Sequence, residues 1–213
     1  MRITKYGQCC LLIEVNGKRI LTDPGRFSIS QNNVKDIDLI LITHEHADHF
    51  HSESLKLILK NNPNAKVITN SSVSKILHDL GLNHEILEGT AYGEKAGISL
   101  EAYDGKHAQI FEEYGQVQNT GYFIQNRLFY PGDAYTEPGK DVEILALPVA
   151  GPWCKSADAI AYALRVKPSK AFPVHDWLLN NDGIALTHGL FEAQLSNNNI
   201  KFVRLQNDET KVF

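Results

Sequence analysis

The sequence predicts an α/β fold in which two similar halves place their sheets face to face. Three observations carry this. Apolar stretches of strand length alternate with stretches of helical periodicity. The order hairpin, strand ending in polar residues, helix, strand, helix occurs twice along the chain. No Pro-, Gly- or Ser-rich linker separates the two runs, so residues 1–213 read as one domain made of two halves.

Bulk composition narrows the function classes. Hydrophobic residues make up 43% of the chain and charged residues 22%, which excludes disordered and fibrous classes. A formal charge of -4 gives no general attraction for polyanions, so nucleic acid and anionic membrane are disfavoured and a small-molecule substrate is expected. Cys9, Cys10 and Cys154 are odd in number, and adjacent cysteines bridge only with strain, which fits a reducing compartment. The first residues lack a secretory h-region and no apolar run approaches the roughly 20 residues of a membrane span, so a soluble, cytoplasmic protein is expected.

Residues 10–15 and 18–23 flank Asn16-Gly17, the dipeptide suited to a type I′ turn, and form a hairpin. It stops at Asp23-Pro24-Gly25 with a carboxylate at the strand tip, read either as a turn cap or as a group that orients a metal-binding His. A polar loop over 26–36 leads to a buried strand, 38–43. After a His-rich loop comes a helix over 52–60, with Ser52 as its cap and Leu55, Ile58 and Leu59 on one face. Strand 65–69, a helix over 72–80 ended by Gly81, and strand 84–88 follow. The second half runs through strand 98–104, hairpin 121–125 and 128–130, strand 142–147, a helix over 156–166 stopped by Pro168, strand 170–174, a helix over 187–197 and strand 200–205.

Function concentrates where strand 38–43 ends. His44-Glu45-His46-Ala47-Asp48-His49 sets three imidazoles and the Asp48 carboxylate side by side at a strand-to-helix junction. Such groups are costly to bury without a partner, and a cation is the natural one. Imidazole with carboxylate suits Zn, Fe or Mn, and with no Cys nearby in the sequence a structural thiolate site is not expected. His107, Asp133 and His175 each lie at or just after the end of a further strand. With His44, His46, Asp48 and His49 they supply enough donors for two adjacent metals.

The His-x-His-x-Asp-His pattern at His44–His49 resembles the signature of the metallo-β-lactamase superfamily. Thr22-Asp23-Pro24-Gly25, His107, Pro131-Gly132-Asp133 and Pro173-Val174-His175 match further segments in the same order, so the resemblance covers nearly the whole chain. It implies a four-layer αβ/βα sandwich of two mixed sheets with the site at one edge between them. It also implies that His44, His46 and His107 hold one metal, that Asp48, His49 and His175 hold the other, and that Asp133 bridges. Within the superfamily the chain is similar to the compact branch of metal-dependent hydrolases that includes the ascorbate-6-phosphate lactonase-like proteins. One departure is Gln8, where many relatives of that branch carry His; the position is not among the main ligands that the resemblance implies, so metal binding is not threatened.

Two divalent ions, Zn foremost and Mn or Fe as alternatives, would share a water and lower its pKa to around 7, giving a hydroxide that attacks a small-molecule ester, lactone, amide or phosphoester. Asp48 would orient the hydroxide or carry its proton. Trp153 and Lys155 are expected on the substrate side, as a pocket wall and an anion-receiving cation, or else as a loop anchor and a solvated side chain. The substrate pocket is expected between residues 26–36 and 149–155. Cys154 is read as an incidental thiol, and His51, His78, His84 and His188 as structural or solvated. An iron-dependent oxidoreductase of the same fold and a metal-binding sensor without catalysis are the competing readings.

Overall fold

The computed structural model describes residues 1–213. Two seven-stranded mixed sheets pack against each other, and two helices cover the outer face of each. The first sheet contains β1 (Arg2–Lys5), β2 (Leu11–Val15), β3 (Lys18–Thr22), β4 (Leu39–Leu41), β5 (Lys66–Thr69) and β6 (Glu85–Ile86). The second contains β7 (Tyr92–Lys95), β8 (Ile98–Lys106), β9 (Gln118–Ile124), β10 (Leu128–Tyr130), β11 (Ile144–Pro148), β12 (Lys170–Val174) and β13 (Lys201–Phe202). The last strand, β14 (Glu209–Val212), returns to the first sheet beside β1.

Side-chain parity explains the layers. In β4, Leu39 and Leu41 point into a central cluster of 23 buried residues drawn from both sheets, while Ile40 points outward with Ile42, the residue after the strand. The outward residues meet Leu55 and Ile58 of α1 (Ser52–Asn61) and Val73 and Leu77 of α2 (Ser71–Asp79). The second sheet repeats this arrangement. Leu145 and Leu147 of β11 face Ala159 and Tyr162 of α3 (Ser156–Val166) and Phe191 and Leu195 of α4 (Asn181–Ser196), while Ile144 and Ala146 face inward. A strand apolar on both faces is what a sheet covered on both sides requires.

Strand direction gathers the polar strand ends. β3, β4, β5 and β6 run parallel, and β1 shares their direction because it and β3 are both antiparallel to β2. In the other sheet β10, β11, β12 and β13 run parallel, and β8 shares their direction through β9. Hydrogen bonds join the two sheets at this edge: the Thr120 N–H to the Thr43 carbonyl at 3.0 Å, and the His175 N–H to the Gln8 carbonyl at 2.7 Å.

Several elements depart from the sequence expectation. β1 and β14 are unannounced, since each is four residues long and they pair across the full length of the chain. β7 is hidden because its two-residue turn to β8 carries Ala96 at φ 52° where Asn or Gly is the usual signal. Asn16 and Gly17 do turn the first hairpin, at φ 52° and 74°. α4 begins at Asn181, not 187: Asn180 caps it by accepting the Gly183 N–H at 2.8 Å, so the polar run that reads as a loop is the first turn. α1 takes His51, not Ser52, as its cap residue, and the strand expected over 200–205 shortens to β13. No helix is long and apolar enough to cross a membrane.

The Asp176 carboxylate is buried between Lys5 of β1 and His188 of α4, accepting from the Lys5 ammonium and lying 2.9 Å from His188 Nε2. Burial opposes its ionisation, but the hydrogen bond from His188 and the charge of Lys5 outweigh that and hold its pKa below the usual carboxylate range. Removing one partner of a buried pair strands the other, so Lys5→Ala is expected to cost about 3–5 kcal/mol in urea unfolding. Because the folded pKa is depressed, the contribution of Asp176 is present above the unfolded value near 4 and is lost as pH falls through the folded one. The stability difference between wild type and Asp176→Asn should therefore shrink on acidification below about pH 4; a difference constant down to pH 2 contradicts the assignment.

Candidate metal centre

Asp23, at the tip of β3, is fully buried and adopts φ 37°. Its Oδ1 accepts the Thr43 N–H at 2.8 Å; its Oδ2 accepts the Thr43 hydroxyl at 2.8 Å and His49 Nδ1 at 2.7 Å and lies 2.5 Å from the Tyr130 hydroxyl. This fixes ring tautomers. The single Thr43 hydroxyl proton goes to Asp23, so His44 Nδ1, 3.0 Å from the same oxygen, must be the donor there. His49 Nδ1 donates to Asp23 and His107 Nδ1 to the Ala108 carbonyl at 2.6 Å. In these three rings the Nε2 lone pair is left for a metal.

The side chains expected as ligands converge. His44, His46 and His107 form one group, while His49, Asp133 and His175, joined by Cys9, form another; within each, the donor atoms lie within 4.8 Å of one another. Asp133 faces both groups. Its Oδ2 lies 3.3 Å from His107 Nε2, 3.9 Å from His44 Nε2 and 2.9 Å from His175 Nε2, and its Oδ1 lies 3.1 Å from His49 Nε2. Asp48 stands at the outer side of the second group, its Oδ2 3.3 Å from His175 Nε2 and 3.6 Å from His49 Nε2.

These donors fit a cation. His44 Nε2, His49 Nε2 and Asp133 Oδ1 are buried and unpaired as hydrogen-bonding atoms, the last two facing each other at 3.1 Å. Orphaned buried polar atoms are rare, and three pointing into one space ask for a positive charge. Without one, protons take its place. Burial would lower the pKa of His49 and His175, but the Asp133 carboxylate outweighs it and raises both. His44, buried beside His49, is pushed well down. Burial also works against Asp48 ionising, but the hydrogen bond from His175 and the charge of His49 prevail, so Asp48 is a carboxylate at neutral pH.

Around these groups the expectations divide. Trp153 is buried, and its indole N–H donates to Asp133 Oδ2 at 3.1 Å, so it holds a carboxylate of the site as well as walling it. Lys155 is exposed at the start of α3, on a cleft of about 660 Å³ shared with Lys106, Ile110, Tyr135 and Trp153. That cleft lies between residues 105–110, 134–136 and 151–158; in the segment 26–36, Phe27 stacks at 4.9 Å on Trp177. Burial pushes the Cys154 thiol up to about 11, which keeps it protonated. Gln8, not itself an expected ligand, touches two of them: its side-chain amide is 3.1 Å from Asp48 Oδ2 and 3.0 Å from the His175 ring nitrogens. Cys9 likewise reaches the site, against the expectation that no thiol is near. The approach of both residues has little sequence signal, because the strand that delivers them, β1, is only four residues long.

Backbone geometry holds the His-rich loop. A Cβ on Gly25 would sit 1.8 Å from the Asp48 carbonyl oxygen and 2.7 Å from the His49 nitrogen, both main-chain atoms that cannot swing aside. Gly25→Ala should therefore displace the loop, lowering metal content by at least tenfold and stability by about 2 kcal/mol or more. Metal analysis and urea unfolding check this, and full metal content in the variant contradicts it.

Residues 2–175 match the Beta-lactamase superfamily domain. Protein Rv0786c of Mycobacterium tuberculosis is 32% identical over 194 residues, covering 89% of this chain and 90% of its own. The UPF0173 metal-dependent hydrolase Ta0764 of Thermoplasma acidophilum is 26% identical, covering 82% of this chain and 83% of its own. Among solved structures, the metallo hydrolase Igni18 from the archaeon Ignicoccus hospitalis superposes with a TM-score of 0.78 at 18% identity, covering 100% of this chain and 97% of that one, which is a likeness of fold. With the domain match spanning most of its length and a relative above 30% identity along nearly all of it, the chain belongs to the β-lactamase superfamily and has its α/β sandwich fold.

Proposed function

We propose that this chain is a metal-dependent hydrolase working with two divalent ions, Zn first among those its imidazole and carboxylate donors accept. The observation that carries the two-ion reading is Asp133, whose two oxygens face different imidazoles, Oδ1 toward His49 and Oδ2 toward His44, His107 and His175. His44, His46 and His107 would hold one ion, and His49, His175 and Asp48 would contribute to the other. Ions held there supply an acidified water as nucleophile at neutral pH and polarise a carbonyl or phosphoryl oxygen. The names of the Thermoplasma and Ignicoccus proteins agree with this reading.

The chain's own groups do the rest. Asp48, ionised and less enclosed than the other acidic group of the site, accepts the nucleophile's proton. The Gln8 amide, fixed through its Oε1 by the Trp177 N–H at 3.2 Å, holds Asp48 in place. Trp153 fixes Asp133 and closes one wall, and Lys106 and Lys155 offer positive charge to an anionic group on a small-molecule ester, lactone, amide or phosphoester. Free Cys9, Cys10 and Cys154 agree with a reducing cytoplasm.

Reconstituted protein should bind two metal equivalents and lose turnover on chelation. Asp48→Asn keeps the shape but removes the proton acceptor and should cost at least 10²-fold in kcat, with the circular dichroism spectrum unchanged. One equivalent or fewer after reconstitution ends the two-ion reading. Oxygen-consuming turnover with bound iron would replace hydrolysis by oxidoreduction.

A further inference from the structure

Cys9 and Cys10 are both buried, yet they do different things. Cys10 packs in the apolar cluster beneath α1 and α2, while Cys9 lies in the central cluster between the sheets. The Cys9 backbone is held there by its carbonyl, which accepts the Thr22 hydroxyl at 2.9 Å and lies 3.1 Å from the Tyr130 hydroxyl. Its Sγ shares one space, within 4.8 Å, with donor atoms of His49, Asp133 and His175. Two atoms of that group, His49 Nε2 and Asp133 Oδ1, are buried and unpartnered. A thiol is too weak a hydrogen-bond partner to satisfy a carboxylate. Four buried donors, S, N, N and O, match the donor types and number that a tetrahedral ion takes.

We infer that Cys9 is a thiolate ligand of the second ion, together with His49, His175 and Asp133. The inference rests on the two-ion reading and deepens it. On binding, the sulfur–metal bond forms and the thiol proton leaves to solvent, with no change of oxidation state. The two positions are then chemically unequal: imidazoles at His44, His46 and His107, and a softer set containing sulfur beside them, which favours Zn or Fe over Mn. Asp48, the further group given above to this ion, stands beside the set with its Oδ2 3.3 Å from His175 Nε2.

Metal-free protein titrated with Co(II) tests this. Two equivalents should bind, with a near-ultraviolet sulfur-to-cobalt charge-transfer band that persists in Cys154→Ser and disappears in Cys9→Ser, whose affinity for the second equivalent should fall at least tenfold. X-ray absorption at the cobalt edge reads a sulfur neighbour in the wild-type protein itself, so the outcome stands even where Cys9→Ser folds poorly. Two equivalents bound with neither band nor sulfur neighbour overturn the Cys9 assignment and leave the two-ion reading intact. Fewer than two equivalents and no band overturn both.

Discussion

The centre depends on one buried carboxylate. Asp23 accepts or closely approaches donors from Thr43, His49 and Tyr130, so the end of β3 is tied to the end of β4, to the His-rich loop and across to β10 of the other sheet. A buried carboxylate is tolerable only when its lone pairs are filled. Filling them decides which nitrogen of His49 carries the proton and, through the Thr43 hydroxyl, which nitrogen of His44 does. Orientation of two metal-facing rings thus follows from a residue that itself faces away from the metal space.

The same edge has to be built from both sheets. Parallel strands deliver their ends together, so Asp23 and His44 arrive side by side from β3 and β4, and Asp133 and His175 from β10 and β12. His107 follows β8, and Gln8 and Cys9 follow β1, strands that share those directions through one antiparallel neighbour. A hairpin beside parallel strands in each half is therefore a way of bringing additional strand ends to one place.

Legibility in the sequence tracks how local each signal is. His44 through His49 stand almost consecutively, and Asp133 and His175 each end an apolar run, so residue type and position suffice to mark them. The four layers follow from β4 and β11, whose continuous apolar runs demand cover on both faces. What stayed illegible depends on partners far away in the chain. β1 has no hydrophobic pattern of its own beyond Ile3 and is a strand because β2 and β14 flank it. Gln8 and Cys9 inherit that obscurity. The start of α4 was masked by local chemistry of the opposite kind, since Asn180 and Gly183 make a helix cap from residues that equally make a turn.

The centre is also where the fold gives up stability. Asp23 and His175 both hold left-handed backbone, at φ 37° and 64°, a conformation that costs of order 1–3 kcal/mol for each non-glycine residue. The crowded donors add to this, because an unpartnered buried nitrogen or oxygen carries its full desolvation penalty of about 1–3 kcal/mol. Three apolar clusters, the largest of 23 residues spanning both sheets, offset these costs from the interior. A cation would remove part of the cost by pairing the orphaned atoms and displacing the protons that Asp133 draws onto His49 and His175.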